Sequence, residues 1–114
     1  MSLLEKMEQV DDLLTHVWMV RTFLKHSEEA EEDEELQKVH RMLYDYTHAL
    51  GVFWDKRDAE GYLDQATRKW HRLKNANEQF AELQPDISTH MNFQMARRSL
   101  QTAVRRIGEA LEKA

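Results

Sequence analysis

Apolar residues recur along this chain with alternating gaps of four and three, in four separate stretches. The first stripe is Leu3, Met7, Val10, Leu14, Val17, Arg21 and Leu24; the second is Leu36, Val39, Leu43, Tyr46, Leu50 and Phe53. The third is Leu63, Ala66, Trp70, Leu73, Asn77 and Phe80, and the fourth is Thr89, Phe93, Ala96, Leu100, Ala103, Ile107 and Ala110. Positions three and four apart share one helix face, so each stretch reads as an amphipathic helix with one side turned to a core. Polar residues interrupt the pattern. Arg21 and Asn77 sit within stripes, and His40 and Thr47 lie on the flank of the second.

A sheet protein is excluded on the same ground, because alternation with a period of two is absent and turn-forming residues are scarce: 3 Gly and 1 Pro in 114 residues. That length suits one domain spanning residues 1–114, with a single core. Without Cys there is no disulfide, thiolate metal site or cysteine nucleophile, which fits a reducing cytoplasm. No apolar run approaches the ~18 residues of a membrane span, and the first residues lack the basic-then-apolar plan of a signal peptide. A net charge of -5 opposes nucleic-acid binding. Arg97, Arg98, Arg105 and Arg106 share the last stretch with Glu109 and Glu112 and read as a solvated face.

The helix boundaries follow from charge, capping and proline. Glu28 to Glu35 holds like charges that repel and no anchor for a core, so it is expected to contain the first turn, with Ser27 or Asp33 capping the next helix. The pattern lapses again from Asp55 to Asp58, where Asp58 can cap a helix weakened at its start by Gly61. Pro85 is expected to stop the third helix, and Asp86 or Ser88 to cap the fourth. No cap is assigned to the first helix. Four helices of similar length on short links predict an all-α, antiparallel, up-down-up-down four-helix bundle.

Turns centred near residues 30, 58 and 85 let heights be compared by reflection. Arg21 then lies beside Val39 and His40, these beside Ala76 and Asn77, and Asn77 beside Phe93 and Gln94. Arg21, His40 and Asn77 are therefore expected in one polar layer, either fixing register or forming a small-anion site in which Arg21 holds the anion and His40 exchanges a proton. A lone buried amide would cost about 2 to 7 kcal/mol.

The six His do not assemble a metal motif. Asp12 with His16, His26 with Glu29, Asp45 with His48, and Asp86 with His90 are spaced one turn apart, but the inward Glu-x-x-His pairs of carboxylate-bridged metal bundles are missing. Neither a metal nor a cofactor is expected. Hydrolase and nucleotide-binding motifs are also missing, and the chain reads as non-enzymatic.

The run Trp70, His71, Arg72, Leu73, Lys74, Asn75, Ala76 resembles the phosphorylatable helix of histidine-containing phosphotransfer domains, which carry His-x-Leu-Lys-Gly on a four-helix bundle of about this size. The resemblance implies His71 as phosphoacceptor and Lys74 as the cation beside the phosphate. The family's glycine is replaced by Asn75.

Apolar residues exceed what one face per helix needs. Trp18, Met19 and Phe23 lie off the first stripe, and Val52, Phe53 and Trp54 widen the second. Aromatic and Met clusters of this kind are typical of interface cores. The expected function is a binding or scaffolding module that forms a homodimer, or takes a helical partner, through Trp18, Met19, Phe23 and Val52, with phosphotransfer by His71 as the alternative. Neither nucleic acid nor a membrane is an expected partner.

Overall fold

A computed structural model describes residues 1–113, and these form five α-helices: α1 (Leu3–Lys25), α2 (Glu28–Glu32), α3 (Glu34–Asp55), α4 (Ala59–Ile87) and α5 (Met91–Ala110). Each start has a side chain that satisfies an orphan backbone N–H. Ser2, to which the sequence assigned no role, forms a capping box with Glu5 on α1. Ser27 and Asp33 both act, on different helices: Ser27 accepts from the Ala30 amide at the start of α2, and Asp33 accepts from the Leu36 amide at the start of α3. Asp58 caps α4 by accepting from the Gly61 amide at 2.9 Å. A Cβ on Gly61 would run into Asp58 and Phe53, so its lack of a side chain lets the linker close over the end of α3.

Three expectations are corrected here. The acidic stretch does contain an anchor, because Ala30 is buried and its carbonyl accepts a bond from Gln37 Nε2 at 2.7 Å; the stretch folds as the short helix α2. Pro85 does not end the third helix, and α4 runs on to Ile87. Proline forfeits the bond its own N–H would make, yet the last turn survives because Ser88 N–H reaches the Gln84 carbonyl at 3.0 Å and Gln84 Nε2 reaches the Ser88 carbonyl at 2.8 Å. The cap of α5 is neither Asp86 nor Ser88. His90 Nδ1 accepts from the Asn92 amide at 3.0 Å, while Ser88 Oγ accepts from the His90 amide.

Two helices end in the same way without glycine. Arg57 and Glu112 take left-handed backbones, with φ of 54° and 61°. Each sets up the paired bonds of a Schellman turn: Asp58 N–H to the Phe53 carbonyl and Arg57 N–H to that of Trp54, then Lys113 N–H to the Gly108 carbonyl and Glu112 N–H to that of Glu109.

The long helices pack round one core. α1 lies against α3, α4 and α5; α4 also lies against α3 and α5. Tyr62, Phe80, Met7 and Leu24 are among the largest wholly buried side chains, and the stripe residues Val10, Val17, Leu43, Leu50, Leu73, Leu100 and Ile107 fill the space between them. The whole measures 42 × 24 × 19 Å. Tyr46 Oη donates to the Ala66 carbonyl at 2.9 Å, and Tyr62 Oη to Asp11 Oδ1 at 2.8 Å, so both deeply set phenols are satisfied.

Candidate functional site

Side chains from α1 and α3 leave a groove of about 490 Å³ on the surface, lined by Asp11, Leu14, Thr15, Trp18, Met19, Tyr44, Thr47 and His48. Its floor is apolar and aromatic. Trp18 is 43 % exposed and Met19 63 % exposed, and Tyr44 is exposed beside them. The rings form a row: Trp18 and Tyr44 centroids are 6.2 Å apart, and Tyr44 stacks on His48 at 5.5 Å with an 11° interplanar angle. Thr15 Oγ1 donates to the Asp12 carbonyl, and Thr47 Oγ1 to those of Leu43 and Tyr44. Both hydroxyls are thus satisfied by their own helices, and covering them leaves no donor without a partner.

Arg21 supports this row from beneath. It is 7 % exposed, and its guanidinium carbon sits 4.0 Å from the centre of the Trp18 ring and 5.2 Å from that of Tyr44. Arg21 Nη1 donates to His40 Nε2 at 3.3 Å. A guanidinium has no acceptor, so that nitrogen carries the lone pair and the His40 proton resides on Nδ1. Burial lowers the His40 pKa, and the charges of Arg21, Lys25 and Arg41 lower it further. Among the described residues the ion pairs are Arg57–Glu8, Arg68–Asp64 and Arg105–Glu109; Arg21 has no carboxylate, and its Nε has no acceptor. At the other end of the groove Asp11 is half-buried. Its pKa is raised by burial, against the opposing bond from Tyr62, and Asp12 raises it further.

The expected polar layer is therefore realised in one part. Arg21 and His40 meet, as reflection about the first turn implies. Asn77 joins neither of them by a hydrogen bond, and its buried Oδ1 has no partner. Ala76, not Asn77, takes the inward position between Leu73 and Phe80, which leaves Asn77 half-buried at the edge of that face. With α4 extended through Pro85, Trp70 packs over Gly108 and Gln84 bonds Arg97, so α4 and α5 reflect about Thr89 and His90 rather than Pro85. Phe93 is left to meet Phe23, edge to face at 5.0 Å.

The four expected interface residues are divided. Trp18 and Met19 line the groove. Phe23 packs against the core on the α5 side, and Val52 is exposed but is not among the groove residues. His71 and Lys74 are both exposed on α4, with Lys74 Nζ 5.7 Å from the Trp70 ring centre. No group of three His, Asp, Glu or Cys side chains is placed to hold a metal, among the described residues. No helix of the described residues is long and apolar enough to cross a membrane.

Comparisons with protein-family models, curated proteins and solved structures gave no match. Sequence reasoning missed Tyr44, which reads as one aromatic on a polar flank until Arg21 and Trp18 are placed beside it. It also missed Gln84, a buried amide whose Oε1 accepts from Arg97 Nη1 at 3.2 Å and which ties the end of α4 to α5. The signal for Gln84 was its place one turn after Phe80 on the third stripe.

Proposed function

We propose that the chain is a cytoplasmic, non-enzymatic docking module that self-associates through the groove between α1 and α3. We read its four long helices as an up-down-up-down antiparallel bundle. In support of that topology, packed helices meet at opposite ends of their runs: Arg21 late in α1 with His40 early in α3, Trp54 late in α3 with Tyr62 early in α4, Trp70 in the first half of α4 with Gly108 late in α5, and Phe23 late in α1 with Phe93 early in α5. The absence of Cys is compatible with the cytoplasm.

The observation that carries the docking role is the row of exposed rings, Trp18 and Tyr44, seated on a buried arginine that has no carboxylate of its own. Fixing rings in place costs little further entropy when a partner covers them, and aromatic anchors of this kind dominate interface energies. A buried cation without a counter-charge lowers stability, so its retention beneath a surface cluster favours a role there over a role in folding.

Light scattering across protein concentration tests this. The wild type is expected to rise from a monomer mass of 13.6 kDa to that of a dimer, and Trp18→Ala with Met19→Ala to remain at 13.6 kDa. A wild type that stays monomeric at every concentration would remove self-association.

A further inference from the structure

Where α4 gives way to α5 the surface holds a recess of about 450 Å³, lined by Pro85 and Thr89 on the approach and by Gln94, Arg97, Arg98 and Gln101 of α5. These four α5 positions are spaced by three, one and three, which sets them on one face of the helix. The chain carries 21 Asp and Glu against 16 Lys and Arg, yet no carboxylate lines this recess. Asp86, beside Pro85, is exposed, and the ion pairs among the described residues use neither Arg97 nor Arg98.

Arg97 is half-buried and already held in place. Gln84, 4 % exposed, lines the recess as well: its Nε2 donates to the Ser88 carbonyl at 2.8 Å, and its Oε1 accepts from Arg97 Nη1 at 3.2 Å. Gln94 Nε2 donates to the Thr89 carbonyl at 2.7 Å and ties the linker to α5. A neutral amide fixes the guanidinium without cancelling its charge, and a donor fixed beforehand loses less entropy when a ligand arrives. Bracing α4 on α5 asks only for a donor. A full charge beside a second arginine, with amide and hydroxyl groups around both and no acid among them, suits an anion.

We infer that this recess binds a phosphate group, as the free anion or as a small phosphate monoester. Guanidinium groups take phosphate oxygens in pairs, and an oxyanion with acceptors on every side can use Arg97, Arg98, the Gln101 amide and the Thr89 hydroxyl together. A planar carboxylate would be served by one arginine. The inference does not depend on self-association through the α1–α3 groove.

Titration of the isotope-labelled protein with inorganic phosphate, followed by nuclear magnetic resonance at constant ionic strength, tests it. Saturable shifts are expected at the residues of the recess, with acetate binding more weakly. Arg97→Gln is expected to weaken phosphate binding about tenfold, the loss of one charged hydrogen-bonding group. Arg98→Gln, at an exposed position, is expected to weaken it about threefold and carries the test where Arg97→Gln disturbs the end of α4. Arg105→Gln with Arg106→Gln removes two charges from the same helix outside the recess and is expected to leave affinity unchanged. Shifts that never saturate, a control pair that weakens binding as much as Arg97→Gln, or acetate that binds as tightly as phosphate overturns the site. Glycerol phosphate separates the two sources: tighter binding than inorganic phosphate supports a monoester, and equal binding supports the free anion.

Discussion

Gly108 and Gly51, two of the three helical glycines, have opposite surroundings. Gly108 on α5 lies under the Trp70 ring so closely that a Cβ there would fall 2.7 Å from Cζ2, whereas a Cβ on Gly51 of α3 would meet nothing within 4 Å. The first glycine belongs to a seam that the chain closes by itself, with Trp70 laid over the backbone of α5 and Gln84 bonded to Arg97. The second follows Thr47 and His48 by one turn, on the helix that forms one wall of the α1–α3 groove. A glycine inside a helix costs about 0.5–1 kcal/mol relative to alanine. At Gly108 close packing returns that cost, and at Gly51 nothing within the chain does. The contrast separates a seam that the chain packs closely by itself, with the buried Trp70 indole N–H left without an acceptor, from a stretch of α3 that nothing in the chain covers.

The same substitution at the two sites isolates packing, because the gain in helix propensity is common to both. Gly108→Ala carries the largest expected effect: forcing the Trp70 ring off the backbone of α5 should lower unfolding stability by about 1–3 kcal/mol, as overpacked cores do. Urea denaturation measures this directly. A Gly108→Ala protein as stable as the wild type would mean that the ring shifts freely, and the closed seam would lose its distinction from the open one.

Gly51→Ala is expected to act in the other direction and more weakly, raising stability by about 0.5–1 kcal/mol in the same experiment. A loss at this position would show that α3 is packed there after all. The two results together form a double test, since only their opposite signs support an open seam beside a closed one.

How far this division was legible in the sequence depends on what each feature required. The stripes, the caps at Asp33 and Asp58 and the meeting of Arg21 with His40 needed only helical periodicity and the first two turns, and all were readable. Asn77 was not placeable. The second turn sets its height against Arg21 and His40, but its neighbour Ala76 takes the inward position there; its height against α5 depends on where α4 ends, and a proline rule applied at Pro85 misses a turn held by Gln84 and Ser88. Trp18 and Phe23 were equally far from legible as a pair, because both lie off the stripe and only the neighbours decide that one stays on the surface while the other turns inward to Phe93. The threonines of the groove carry no signal in sequence at all, since their apolar character arises only when their hydroxyls bond back to their own helices.

The smallest expected effect concerns how the two seams hold their arginines. In the closed seam Arg97 donates to the Gln84 amide, which has no proton to gain; in the open seam Arg21 donates to His40, which has. The His40 pKa is lowered from its ordinary value of 6.5 in the fold, so the folded state prefers the neutral ring. Stability from this site is therefore complete above 6.5 and is lost as pH falls below it through the lower folded value, because the unfolded chain takes up a proton that the folded chain resists. His40→Gln gives Arg21 the acceptor that Arg97 already has and removes the titration. The other five His are common to both proteins and cancel in the difference. Between about pH 8 and about pH 5, spanning the ordinary histidine range, wild type should lose more unfolding stability than the variant. Parallel stability curves would show that the open seam holds its buried cation without drawing on the neutral imidazole, and the two seams would then differ in packing alone.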